Sequence, residues 1–285
     1  MKLRVIFFLI IMIFFSGCEK NREISIAANE WIGYAPLFYA NEQGWLKNKN
    51  IRLIRTVSLG ESLDLYQNGL VNGLAATNYE YEKIKEKVSP VILLDKSYGG
   101  DKIVSNVSID ELKKAKKIDV YLEIDSVNYL LLKSFIKKHS IDKNKLILHN
   151  ADQQQIIKND YDMKKPLLII TYSPYDVSLK EKGFKEITST KTDKDLLVID
   201  ALFIDKRYLD KKRFKELKKD IDKAVLEIKT HPRKVYEKIK NYYTNYSYED
   251  FKSDLKNIKW INNPSSELLK LLEENGIETE DLIEN

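Results

Sequence analysis

The 285-residue chain contains a single cysteine, Cys18, and three histidines. One thiol leaves no disulfide framework and no cysteine-based metal site, so stability has to come from an ordinary core. No Gly-x-Ser-x-Gly elbow, no phosphate-cradling glycine-rich loop and no His-Glu-x-x-His occurs in the sequence. The usual marks of nucleophilic, nucleotide-dependent and zinc-dependent catalysis are therefore missing. The histidines stand apart from one another: His139 closes a helical stretch, His149 ends an apolar one, and His231 precedes Pro232. No catalytic residue, metal or cofactor is expected. Gly/Ser-rich linkers, low-complexity segments and internal repeats are absent as well. Arginine is scarce beside lysine, and the formal net charge of +5 is spread over mixed Lys/Glu stretches such as Lys211 to Lys240. A nucleic-acid binder would gather its basic residues on one face, with aromatics or arginine; here the lysines read as solvated helix faces, and no nucleic acid is expected as a partner.

What is present is an ordinary globular balance, with 43% hydrophobic and 32% charged residues. The length suffices for one large lobe or two medium ones. At the start, Lys2 and Arg4 precede an apolar run from Val5 to Phe15, too short for a stable bilayer span. Ser16-Gly17-Cys18 then resembles a bacterial lipobox, whose cysteine is diacylated and becomes the mature N-terminus. Residues 1–18 are therefore expected to be a lipoprotein signal peptide, and Cys18 the lipidation site. Acyl chains there would tether an extracytoplasmic domain to a bacterial membrane.

Beyond Cys18, strand and helix patterns alternate. Glu23–Asn29, Ile51–Val57, Leu74–Thr77, Pro90–Leu94, Ile103–Val107, Ile118–Leu122, Leu146–His149, Pro166–Thr171, Lys185–Thr188 and Leu196–Ile204 read as strands. Pro166–Thr171 is continuously apolar, as a strand buried on both faces would be. Helices are expected over Tyr34–Gln43, Leu59–Asn68 after a Ser58 cap, Asn78 to Lys87, a capping box Ser108–Glu111 running to Lys116, Val127–His139 and Gln153–Asn159. Two or three amphipathic helices fill the remainder. The alternation predicts an α/β fold with mostly parallel sheets flanked by helices. Two sets of units suggest two lobes with a cleft between them: 19–101 plus 201–285, and 102–200, joined by extended crossings near 101–107 and 197–204.

Ligands of open α/β sheets sit beyond the carboxyl ends of strands, beside helix N-termini. The residues following the expected strands are Asn29, Trp31 and Tyr34; Ser58 and Glu61; Thr77 and Asn78; Ser97 and Asp101; Glu123 and Ser126; Thr171 and Tyr172. Hydroxyls, amides, aromatics and a few carboxylates in such positions can enclose a small ligand with stacking surface and placed hydrogen bonds. These thirteen residues are the candidate binding set.

Several of them lie in segments that resemble a known family. Asn29-Glu30-Trp31-Ile32-Gly33-Tyr34-Ala35-Pro36-Leu37-Phe38-Tyr39-Ala40, followed by Gly44-Trp45-Leu46, is similar to the opening of substrate-binding proteins of nitrate/aliphatic-sulfonate/taurine ABC transporters. Gly69 to Gly73, Ser97 to Asp101, Leu112 to Lys116, Ile170 to Tyr175 and Val198 to Leu202 resemble further family segments, in the same order. Asn72 and Ser173 stand where the family carries a carboxylate. The resemblance implies a type II periplasmic-binding-protein fold that closes on a small molecule and delivers it to a permease with its ATPase. It leaves open whether that molecule is a sulfonate, a nitrate-like anion, or a pyrimidine or amine. Two other readings remain: a lipoprotein that presents its ligand to a membrane sensor, and a pyrimidine synthase of the same superfamily. The synthase would need a cysteine-rich motif and an active-site histidine; here Cys18 is the only cysteine, and no histidine follows the early strands.

Overall fold

The structure is a computed structural model that describes residues 22–193 and 196–283. The expected signal segment 1–18, with Cys18, lies outside the described residues. Eleven strands form two sheets among the described residues. The first contains β1 (Ile24–Ala28), β2 (Ile51–Arg55), β3 (Gly73–Thr77), β4 (Val88–Ser97), β10 (Ile199–Asp205) and β11 (Ile258–Trp260). The second contains β5 (Asp101–Ser105), β6 (Ile118–Leu122), β7 (Leu146–Asn150), β8 (Leu167–Tyr172) and β9 (Lys185–Ser189).

The two sheets share one plan. Their strand orders are β11-β4-β10-β3-β1-β2 and β7-β6-β8-β5-β9. Each has three parallel strands (β2-β1-β3 and β7-β6-β8), then an antiparallel strand arriving from the other sheet (β10 or β5), then two more in the first sheet (β4 and β11) and one in the second (β9). The expectation of mostly parallel sheets is thus corrected to mixed sheets. Parallel pairing requires a crossover connection on the same sheet. A strand that enters from the neighbouring sheet has no such constraint, and both visitors run antiparallel.

Helices follow the strands. α1 (Ala35–Glu42), α2 (Leu59–Gln67) and α3 (Asn78–Tyr81) come from the first segment. α4 (Ile109–Lys114), α5 (Val127–His139), α6 (Gln153–Lys158) and α7 (Asp176–Glu181) accompany the second sheet. α8 (Lys211–Thr230), α9 (Pro232–Ile239), α10 (Tyr248–Asp254) and α11 (Ser266–Glu274) complete the chain. α8 buries Phe214, Leu217, Ile221, Ala224, Val225 and Ile228 at helical spacing, which leaves its lysines on the open face except Lys218. Lys218 is 2% exposed, and its ammonium is satisfied by Asp222 and the Asn262 carbonyl. The Ser108 capping box forms as expected, with Ser108 Oγ accepting from Glu111 N and Glu111 accepting from Ser108 N.

One expected helix is shorter than its charge pattern suggested. α3 stops at Tyr81 instead of Lys87. From there the backbone bonds Ile84 N to Tyr81 O and Lys87 N to Ile84 O span three residues, so the segment continues as tight turns into β4. Only Ile84 of residues 82–87 is buried, too little apolar surface to hold a helix.

Where the chain crosses between sheets, the two passages are tied together. Ser97 Oγ and Thr190 Oγ1 lie 2.8 Å apart, Gly99 N donates to Thr190 Oγ1 at 2.8 Å, and Thr190 N donates to Asp101 O at 3.0 Å. Gly99 adopts φ 107°, a conformation that a side chain would strain. Gly100 supports the Trp31 indole so closely that a methyl group there would overlap the ring.

Candidate functional site

The carboxyl ends of the parallel strands in both sheets meet at one seam. From β1 come Asn29, Glu30 and Trp31. Tyr34 follows in a single 3-10 turn before α1. β3 ends at Thr77, and β10 carries Asp200 across the centre of the first sheet. The second sheet contributes Asp101 at the start of β5, Glu123 after β6 and Tyr172 at the end of β8. Asn29, Trp31, Tyr34, Thr77, Asp101 and Tyr172, together with Leu59 and Asp200, line a cavity of about 10 Å³. That is close to the space of one water molecule, so the two walls are in contact. Anything larger requires them to part.

Hydrogen bonds stitch the walls. Asn29 Nδ2 donates to Tyr172 OH at 3.0 Å, and Tyr172 OH donates to Glu123 Oε1 at 3.1 Å. Val127 N, at the start of α5, donates to Glu80 Oε1 on α3 at 3.0 Å. Glu30 accepts from Tyr175 OH at 3.0 Å and from Gln154 Nε2 at 3.1 Å, and it pairs with Arg55. Trp31 meets Tyr172 edge-on, with ring centroids 6.0 Å apart, and its Nε1 donates to Asp95 Oδ1 at 3.4 Å.

Carboxylates dominate this buried region. Asp95, Asp101, Glu123, Asp200 and Glu80 are all buried. Desolvation is the leading cause in each case, and it raises all five above the ordinary carboxylate range. Asp101 rises to about 6 and Glu123 to about 8. Asp95 and Asp200 lie close enough for the charge on one to raise the other. Tyr34 OH donates to Asp200 Oδ1 at 2.6 Å, and Glu80 takes the Thr77 amide and the Thr77 hydroxyl. One oxygen of each of Asp95, Asp101, Glu123 and Asp200 has no hydrogen-bond partner, nor does Asn29 Oδ1. No lysine, arginine or histidine lines the cavity.

Outside this seam lies a groove of about 700 Å³ between α2 of the first sheet and the β6–α5 and β7–α6 loops of the second. Ser58, Glu61, Asp64, Lys83, Glu123, Asp125, Asn150 and Asp152 are among its lining residues. Glu123 borders the groove while bonding Tyr172, which borders the cavity, so groove and cavity share a wall. A larger groove, of about 890 Å³, lies beside Arg22, Ile24 and the start of α8, at the opposite end of β1 from the seam.

The sequence-selected residues divide accordingly. Asn29, Trp31, Tyr34, Thr77, Asp101 and Tyr172 gather at the cavity, and Ser58, Glu61 and Glu123 at the outer groove. Ser58 caps α2 by accepting from Glu61 N at 3.0 Å, while the Glu61 carboxylate accepts from Val57 N at 2.7 Å. Asn78 Oδ1 accepts from Ile199 N at 3.0 Å and so holds the returning crossing. Ser97 serves the hinge as above. Ser126 caps α5, and Thr171 is buried on β8 with its hydroxyl unpartnered. Sequence reasoning did not select Asp95, Asp200 or Glu80. The first two carried a signal: a lone carboxylate inside an otherwise apolar strand, as in Val91-Ile92-Leu93-Leu94-Asp95 and Val198-Ile199-Asp200-Ala201-Leu202. Such a residue is expensive to bury without a partner, and its presence asks for one.

Among the described residues, no group of three or more His, Cys, Asp and Glu is placed to hold a metal ion, and no helix is long and apolar enough to cross a membrane. No family model and no curated protein matches the sequence. Solved structures do match the fold. The alkanesulfonate-binding protein SsuA from Xanthomonas axonopodis pv. citri, bound to MOPS, superposes with a TM-score of 0.73 at 10% identity, over 94% of this chain and 100% of its own. The Candida albicans CA3427 gene product, described as having the generic periplasmic binding protein structural fold, gives 0.65 at 14% identity, over 91% and 92%. The periplasmic nitrate-binding protein NrtA from Synechocystis PCC 6803 gives 0.64 at 12% identity, over 81% and 69%. The chain therefore has the two-lobed periplasmic-binding-protein fold. At these identities the likeness is one of architecture.

Proposed function

We propose that the protein is the extracytoplasmic solute-binding component of an ABC importer, lipid-anchored through Cys18, which captures a small organic molecule between its two lobes. The observation that carries this reading is the seam itself. Aromatic, amide and carboxylate side chains from both sheets converge on one cavity, Asn29, Tyr34 and Asp200 from one side and Asp101 and Tyr172 from the other. Two tied crossings leave the walls free to swing about a common edge. Neighbours of the same fold are named as sulfonate- and nitrate-binding proteins, which supports a binding role over a catalytic one. The moving bodies would be 19–101 plus 201–285, and 102–200. Of the thirteen selected residues, those at the cavity would touch the solute, while Ser97, Asn78 and Ser126 would hold hinge and helix in place.

Lobe motion is the direct test. Spin labels on α2 and on α6 straddle the groove, and their separation should shorten on addition of the molecule that the protein carries through mild purification. An unchanged distance in the presence of a tightly bound molecule would contradict capture by closure.

A further inference from the structure

We propose that the cleft takes a small, flat organic cation bearing N–H donors, an amine or amidine, and not an anion. This rests on the solute-binding reading above and specifies its ligand.

The cavity is lined by acceptors. Asp101 and Asp200 each present an oxygen without a hydrogen-bond partner. Asn29 supplies a second and independent indication. Its side chain is 0% exposed, and its Oδ1 is unpartnered on the cavity wall. The orientation of that amide follows from its neighbour. Tyr172 has one proton, which it gives to Glu123 Oε1, so it accepts from the Asn29 Nδ2 group. The carbonyl oxygen then faces away from Tyr172 with nothing to accept. Buried acceptors cost stability unless a donor reaches them, and no protein donor does. A ligand carrying several N–H groups would satisfy these atoms; a sulfonate or nitrate would bring more acceptors into a wall of acceptors. The rings of Trp31, Tyr34 and Tyr172 add faces and edges suited to a flat cation.

The approach to the site carries the same sign. Five carboxylates (Glu61, Asp64, Glu123, Asp125 and Asp152) border the outer groove against the single cation Lys83, on a chain whose formal net charge is +5. Lys83 is itself occupied, donating to the Asp125 carbonyl at 2.7 Å. A cleft of one charge sign concentrates oppositely charged solutes and speeds their arrival. The acids are not gathered as a metal site, since no cluster among the described residues is placed to chelate one. Hydrogen-bond donors on an organic cation suit their spread. The raised pKa of Glu123 and Asp101 fits a site whose charge is held back until a cation arrives.

Two shape-matched pairs test the assignment by thermal shift and calorimetry: benzamidinium against benzenesulfonate, and ethylammonium against ethanesulfonate. The cations should raise the melting temperature and the anions should leave it unchanged. Asp200→Asn, which keeps an acceptor for Tyr34 and removes the group that would ionise against a bound cation, should weaken the favoured cation about ten-fold or more. The double variant Asp64→Asn/Asp125→Asn, on exposed residues of the groove, should slow association by about three- to ten-fold and flatten its salt dependence. Stabilisation by the sulfonates and not by the cations overturns the assignment while leaving solute capture standing. No stabilisation by any of the four, together with no small molecule retained through purification, overturns solute capture and this assignment together.

Discussion

Trp31 sits on the boundary between core and site. It is 4% exposed, rests on Gly100, donates to Asp95 and forms part of the cavity wall. Trp31→Ala should therefore do two things. Removing a packed tryptophan should cost about 3–5 kcal/mol of stability. It should also abolish the ligand-induced rise in melting temperature, which arises by mass action on the folded state. Melting curves with and without the bound molecule separate the two effects. A variant that melts lower but keeps the full ligand-induced shift would make Trp31 a packing residue alone. Gly100→Ala probes the same ring from below. The added methyl overlaps the indole, and the strain should cost about 1–3 kcal/mol, read by urea denaturation. An unchanged midpoint would mean that the ring moves aside freely.

At the scale of elements, α4 shows what a local signal is worth. Ser108→Ala removes one half of its capping box on an exposed turn and should lower stability by about 1 kcal/mol, checked by the same denaturation. A loss near zero would mean that the helix is held by packing of Leu112 instead. That capping box was legible because both of its bonds are local. The whole of α5, Val127–His139, was legible for the same reason, with Ser126 as cap and a steady apolar period. So was β8, whose unbroken apolar run matches burial of all six residues. What the sequence could not show is long-range. Crossings near 101–107 and 197–204 were expected from the sequence, but the antiparallel pairing of β5 and β10 depends on the strands they meet in the other sheet, and no residue announces that. Residues on each wall of the cavity could be picked out one by one from strand ends, but Asp95, Asp200 and Glu80 belong to the site only because distant elements bury them together. Thr77 looked like a binding hydroxyl and also serves as the α3 cap against Glu80.

Across the whole molecule, the buried acids make stability depend on pH in a defined direction. Desolvation raises Asp101 to about 6 and Glu123 to about 8, and it raises Asp254 to about 6 with help from Asp176. Glu123 faces Tyr172, Glu80 and Asp152; Asp101 faces Glu80, Ser97 and Lys102. An acid whose folded pKa lies above its unfolded value holds its proton more tightly when folded. The folded state then binds more protons than the unfolded between those two values, and stability falls as pH rises through the interval. His139, pushed down by burial and by Lys113 and Lys138, opposes the trend weakly. The ligand-free protein should melt at a higher temperature at pH 5 than at pH 8. A flat or rising profile would mean that these carboxyl groups are solvated. Cation affinity should instead strengthen over the same range, because bound cation favours the ionised acids and releases their protons; an anionic ligand would show the opposite slope.

The proposed anchor belongs to the same scale. Cys18→Ala should move the protein from the membrane fraction to the soluble one without changing its melting temperature, and retention after a high-salt wash would contradict lipidation. Native mass spectrometry of the mildly purified wild-type protein beside Trp31→Ala shows whether a small molecule is held between the two lobes. A small-molecule adduct is expected on the wild type, and its loss is expected from the variant. Bare protein in both samples, or an adduct retained equally by both, would contradict it.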